Sequence, residues 1–255
     1  MSVVVKEIAA PGIAKIAINR PGKRNAVNPE ARNALIDAVS NALGDDKVHA
    51  IVIGSTGGHF CAGGDIDSMA NLDVVSGRIR MRENHRLVRL LAEAEKPVVA
   101  GVEGFAVGAG AGIALLCDSI VLTESGALGF PFFRIGLTPD YGILFTLARR
   151  VGQAKARQIL LYAEMRKGQD AVDIGLADEL ASDGQAEARA IERAQEMAAM
   201  PPHVFALTKR HLAMEPQSLE EALEMEAMSQ SLAFVGSELE EGRSAFLEKR
   251  KPEFR

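Results

Sequence analysis

The spacing of apolar and polar positions changes character near the middle of the chain. Ile13 to Asn19 alternates, and a shorter run, Val3 to Glu7, precedes it. Pro11-Gly12 lies between them as a turn signal, so the two are expected to form a hairpin. Ala50 to Gly54 and Pro97 to Val102 are continuous apolar runs, the pattern of strands covered on both faces. Asn28-Pro29-Glu30 opens a helix, with Asn28 as N-cap and Pro29 at its first position. Leu35, Val39 and Ala42 share a face of that helix and Gly44 ends it. Arg78 to Glu95 reads as a second helix with Leu87, Leu90 and Leu91 inward, reached through a weakly patterned, mobile connection at 69–77. Strands at Ser119 to Thr123 and Ala127 to Gly129 close this half. Strand–helix alternation of this kind predicts an α/β fold built on a mostly parallel sheet.

After Tyr141 the pattern is helical throughout: 141–150, 153–162, 170–174, 186–199, 204–214 and one long helix over 219–250. Gly152, Gly168, Pro201-Pro202 and Pro216 punctuate it. The long helix carries Leu223, Met225, Ala227, Met228, Leu232 and Phe234, more apolar surface than a lone terminal helix should expose. A partner subunit or a fold-back onto the core is therefore expected. We divide the chain into a core, 1–195, and a C-terminal helical region, 196–255.

Composition acts mainly by exclusion. The 255 residues are 47% apolar and 25% charged, an ordinary globular balance. A net charge of −5 argues against nucleic acid as the partner. No apolar run reaches the ~18 residues of a membrane span, and the N-terminus lacks a signal-peptide pattern. Cys61 and Cys117 belong to no ligand cluster, so no metal is expected, and the free thiols suit a cytoplasmic protein.

Candidate chemistry lies where strands run into glycine-rich loops. Lys96 to Asp118 (KPVVAGVEGFAVGAGAGIALLCD) is a strand, a small-residue turn and an apolar helix, and Phe60 to Asp65 forms a second such loop. Ligands of parallel sheets gather at the carboxyl ends of strands. Two loops side by side offering one N–H each would make an oxyanion hole. The same glycines equally fit tight turns and close helix packing. Gly108-x-Gly110-x-Gly112 is a poor dinucleotide fingerprint, and no GxSxG elbow is present.

The segments RPGKRNAVN (20–28), FCAGGDI (60–66), KPVVAGVEGFAVGAGAGIALLCD (96–118), FRIGLTPDYG (133–142) and SAFLEKRKPEF (244–254) together resemble the crotonase, or enoyl-CoA hydratase/isomerase, superfamily, in order and over nearly the whole chain. The resemblance implies a crotonase-like spiral of ββα units with a C-terminal helical region used in trimerisation, as a homotrimer or a hexamer formed from two trimers. It implies an acyl-CoA thioester substrate, coenzyme A entering only as part of that substrate, with no separate cofactor. By resemblance the oxyanion donors fall on the Gly64 and Ala109 amides. The CoA contacts fall on Arg24, Ala26, Ala62, Asp65 and Ile66, and on Phe246 and Lys249 of the tail. Read without the family, Arg24 and Lys249 are solvated cations.

The departures from the family pattern bear on the chemistry. Hydratases of the family use two glutamates; those positions hold Gly112 and Phe132 here, which leaves no acid–base pair for adding water. Asp140 matches the single acid of the family's Δ3,Δ2-enoyl-CoA isomerases, with Phe130, Phe132 and Phe133 expected around it to raise its pKa. Alternatively, Asp140 caps the helix that starts at Tyr141. A 4-chlorobenzoyl-CoA dehalogenase-like reaction would use Asp140 as nucleophile and His85 to activate water. A non-catalytic CoA-ester binder is the third reading. Cys61 is read as a small loop filler and Cys117 as core.

Overall fold

The computed structural model describes residues 2–214 and 216–254. β1 (Val4–Ala10) and β2 (Ile13–Ile18) form the expected hairpin. α1 (Pro29–Leu43) leads to β3 (Ala50–Ser55), and α2 (Val74–Ala92) to β4 (Val98–Val102) and the short β5 (Phe105–Val107). α3 (Ala109–Leu115) leads to β6 (Ser119–Thr123) and β7 (Ala127–Gly129). Then follow α4 (Ile143–Val151), α5 (Gln153–Leu161), β8 (Met165–Lys167), α6 (Gly168–Asp173), β9 (Glu179–Ala181) and α7 (Ala186–Ala198). α8 (Pro202–Met214), α9 (Leu219–Phe234) and α10 (Ser237–Glu248) end the chain.

The large sheet has the order β1-β2-β3-β4-β6-β9 and is parallel from β2 onward. After leaving it, each unit adds a short second rung to a smaller sheet. Val27 bridges Gly64, Cys61 bridges Ala106, and β5 pairs with β7, which pairs with β8. One long strand, one short rung and one helix per turn make the ββα spiral.

Both faces of the large sheet are covered, which is why its strands are continuous apolar runs. Ile16, Ile51, Ile53, Val98 and Ile120 pack toward the helices of the spiral. Ile13, Val52, Val99 and Val121 meet the alanine stripe of α7, Ala186, Ala190, Ala194 and Ala198. That stripe lies so close that a Cβ on Gly101 would sit 3.1 Å from the Ala186 carbonyl oxygen. On the other side Lys209 of α8 pairs with Asp118 at 2.7 Å, and Asp118 in turn accepts the Val98 amide at 2.8 Å.

Five expectations need correction. A boundary at 195 falls inside α7; the chain breaks at Pro201-Pro202, before α8. The long helix over 219–250 is two helices, α9 and α10, interrupted at Val235-Gly236. α2 begins at Val74 rather than Arg78, so half of the supposed mobile connection is ordered. A reciprocal cap fixes this start: Asp73 accepts the Ser76 amide at 2.7 Å and Ser76 Oγ accepts the Asp73 amide at 2.9 Å. β5, β8 and β9 are three residues each, too short to print a period in the sequence. The apolar residues of α9 do not fold back: Leu223, Met228, Leu232 and Phe234 are exposed on the single chain.

Candidate active site

The first loop is pinned from below by Asn25, which is fully buried. Its Oδ1 accepts the Arg20 amide at 2.8 Å, and its Nδ2 donates to the Thr56 and His59 carbonyls at 2.6 and 2.7 Å. Arg24 and Asn25 both adopt left-handed backbone, a turn that these side-chain bonds hold in place. Arg20 then pairs with the buried Asp65 at 2.9 Å and also bonds the Ala26 carbonyl. Changing Asn25 to alanine strands three backbone groups, so a loss of about 2–4 kcal/mol is expected in chemical denaturation.

These ties leave two amides free. Val27 takes the Gly63 carbonyl and the Asp65 amide, at 2.8 and 3.0 Å. A parallel bridge of this kind turns the intervening Gly64 N–H to the opposite side. That side faces the start of α3, where Ala109 is the first residue and its N–H has no intrahelical acceptor. Neither amide donates to any acceptor among the described residues. The residues before them, Gly63 (φ +105°) and Gly108 (φ +53°), are left-handed and back onto each other. A Cβ on Gly108 would lie 3.8 Å from Gly63 Cα, and one on Gly63 would lie 3.9 Å from Ala109 N. Only glycine combines that backbone with that approach. Two adjacent N–H groups with no acceptor of their own can hold one anionic oxygen.

Beneath them Gly110 crosses Cys61 so closely that a Cβ would come within 2.6 Å of the cysteine Cβ. Cys61 Sγ accepts the Gly63 amide at 3.3 Å, and burial pushes its thiol up to about 12, so it is a spacer rather than a nucleophile. Phe132 covers the other side, its ring edge 3.8 Å from a Cβ position on Gly108. Phe130 is buried beside it, whereas Phe133 is 46% exposed and does not line the site.

Asp140 directly precedes Tyr141, whose Cβ lies against Gly112 of α3, the helix that Ala109 opens. The α4 N-cap is Gly142 and no side chain bonds the helix start, so Asp140 is not a cap. Tyr141 (φ +50°) and Gly142 (φ +75°) turn the chain sharply after it. Asp140 Oδ1 is buried with no hydrogen-bond partner among the described residues. Burial pushes its pKa up to about 6, against the opposing pull of the Arg80 guanidinium. A half-buried carboxyl with one unpaired oxygen and a pKa near neutrality is suited to take and return a proton.

Tyr141 occupies the space a glutamate at position 112 would need. A Cβ on Gly112 would sit 2.5 Å from Tyr141 Cβ and 3.3 Å from Ile143 Cγ1. Gly112→Glu is therefore expected to lower stability by about 2–4 kcal/mol without producing hydration of a 2-enoyl thioester; melting curves and a hydration assay check both.

Of the other residues singled out in the sequence, Arg24, Ala26, Ala62, Asp65 and Ile66 form one rim. The Ala62 amide bonds the Arg24 carbonyl at 3.0 Å, and Arg24 and Ile66 are exposed. Asp65 is a correction. Its carboxylate is taken by Arg20, its amide by Val27 and its carbonyl by Ser68, so it builds the rim rather than offering these groups to a ligand. Phe246 and Lys249 lie at the end of α10 and are both exposed. His85 is also a correction: it is exposed, while buried Asn84 and Leu87 mark the inner face of α2. Arg20, Asn25, Arg80 and Tyr141 were not picked out as site residues. Of these only Asn25, next to left-handed Arg24, carried a signal, since asparagine is favoured in such turns.

The fold is of the crotonase type. The sequence profile of the family "Enoyl-CoA hydratase/isomerase" matches residues 9–255, and the chain belongs to that family. It is 32% identical over 244 residues to a crotonyl-CoA hydratase of Syntrophomonas wolfei, covering 95% of this chain and 94% of that one. A short-chain-enoyl-CoA hydratase of Clostridium acetobutylicum is 30% identical, covering 94% and 93%. The crystal structure of an enoyl-CoA hydratase from Polaromonas sp. JS666 superposes with a TM-score of 0.91 at 29% identity, covering 99% of both chains. No helix among the described residues is long and apolar enough to cross a membrane.

Proposed function

We propose that the protein is a Δ3,Δ2-enoyl-CoA isomerase that uses Asp140 as its one acid–base group. What supports this reading is the carboxyl inventory: Asp140 has a buried Oδ1 with no hydrogen-bond partner among the described residues, and positions 112 and 132 are a glycine and a phenylalanine. Asp140 removes a proton from C2 of a 3-enoyl thioester. The electron pair moves toward the carbonyl, and the dienolate oxygen rests on the Gly64 and Ala109 amides. Asp140 then returns the same proton to C4, giving the conjugated 2-enoyl thioester with no other reactant. Arg24, Ala26, Ala62 and Ile66 provide the rim against which coenzyme A lies.

The test is to offer 3-hexenoyl-CoA and crotonyl-CoA side by side. Formation of 2-hexenoyl-CoA with no 3-hydroxyacyl product from either is the expected result. Rapid hydration of crotonyl-CoA without isomerisation would reject it. Hydration is the second reading, supported by the names of the relatives. Against it, no second carboxyl stands ready to activate water. A dehalogenase mechanism is disfavoured by the outward position of His85. A binding-only role is disfavoured by the isolation of Asp140.

We further propose self-association through the C-terminal helices. The apolar residues exposed on α9, with Phe246 and Leu247 on α10, support it. Light scattering should give three or six times the chain mass.

A further inference from the structure

Two guanidiniums stand on the inner sides of α1 and α2 without an acid of their own. Arg32 is only 7% exposed. Its Nη1 donates to Asn84 Oδ1 at 3.3 Å, and its Nε and Nη2 donate to Asn33 Oδ1 at 3.1 and 3.0 Å, all neutral acceptors. Among the described residues no carboxylate forms an ion pair with it. Glu83, the acid whose charge reaches it, is held by Arg86 at 2.8 Å. Arg80, one turn before the buried Asn84, donates to Ser68 O and Ser68 Oγ at 3.1 Å and likewise has no ion-pair partner among the described residues.

The α2 stripe that carries Arg80 runs on to the turn that follows Asp140. Arg80, Asn84 and Val88 are spaced i, i+4 along one stripe of α2. Val88 Cγ1 ends that stripe 3.5 Å from a Cβ position on Gly142, two residues past Asp140. Both guanidinium charges act on Tyr141, and that of Arg80 acts on Asp140 as well. The more deeply buried of the two cations is bonded only to amides. A buried charge without a counter-ion is costly, and an arginine fork fits a carboxylate in two-point contact.

We propose that Arg32 and Arg80 bind a carboxylate at the far end of the acyl group, so that the preferred substrate is the CoA thioester of a dicarboxylic acid. This rests on the thioester lying at Gly64, Ala109 and Asp140, as above. The test uses saturated thioesters, which cannot be isomerised: succinyl-, glutaryl- and adipyl-CoA against butyryl-, pentanoyl- and hexanoyl-CoA, by calorimetry on the intact protein. At least one dicarboxylic ester should bind about ten-fold or more tightly than its length-matched partner. Arg32→Gln and Arg80→Gln should each remove most of that preference while leaving the monocarboxylic ester within about twofold, and Arg32→Lys should restore part of it. Arg80, less buried than Arg32, keeps the test usable if Arg32→Gln does not fold. Equal binding at every length, or a preference that survives Arg80→Gln, overturns the inference alone. If no CoA ester binds, the thioester site falls with it.

Discussion

Replacing Asp140 with asparagine is expected to lower kcat/KM for a 3-enoyl-CoA by about 10²- to 10⁴-fold, the range that one positioned acid–base group supplies. Affinity for a saturated CoA thioester should stay within about twofold, because the amides and rim that hold the ester are untouched. The parent enzyme should lose kcat/KM about tenfold per unit as pH falls below about 6, the value to which burial pushes Asp140. A second readout needs no substrate. The carboxyl is harder to ionise in the folded chain than in the unfolded one, where its pKa is about 4. Its contribution to stability is therefore present at low pH and is lost as pH rises from about 4 to about 6. The asparagine variant should melt with the parent near pH 4 and be more stable above pH 6, on the order of 1–3 kcal/mol. Unchanged turnover would remove Asp140 from the mechanism, and equal stability at pH 8 would place its carboxyl in water.

The second large effect belongs to Ala109. Proline is well tolerated at the first position of a helix, and it deletes the N–H proposed to hold the dienolate oxygen. Ala109→Pro should cost about 10²- to 10³-fold in kcat, the usual cost of removing one oxyanion donor. Ala109→Gly keeps the amide and should stay within a few-fold of the parent. The pair separates loss of the donor from loss of shape, with circular dichroism confirming that α3 persists. Similar activity in the two variants would dismiss the amide.

Much of this architecture could be read from residue order, for physical reasons that also mark where reading stopped. β2, β3, β4 and β6 announce themselves because strands covered on both faces must be apolar at nearly every position. α1 announces itself through Asn28 and Pro29, whose side-chain bond to the Ala31 amide is present at 2.9 Å. The start of α2 was missed because serine, rather than glutamate or glutamine, closes its capping box. Gly64 and Ala109 are located by resemblance, and the reason their loops meet, the approach of Gly63 to Gly108, is tertiary and has no local trace. Asp140 looked equally like a helix cap until the left-handed turn at Tyr141 placed the cap two residues later. Arg32 gave no sign at all: an arginine on an amphipathic helix reads as solvated, and only the packing of α1 on α2 buries it.

The contact between Tyr141 and Gly112 also fixes the order in which this catalyst could be remade. Installing a glutamate at 112 first drives it into the tyrosine, so that intermediate is crippled before any new chemistry appears. Because the clash is with the tyrosine's own Cβ, no shorter side chain at 141 relieves it; only glycine does, and the left-handed backbone there (φ +50°) suits glycine. A route from the one-carboxylate form to one with an acid at 112 therefore passes through glycine at 141.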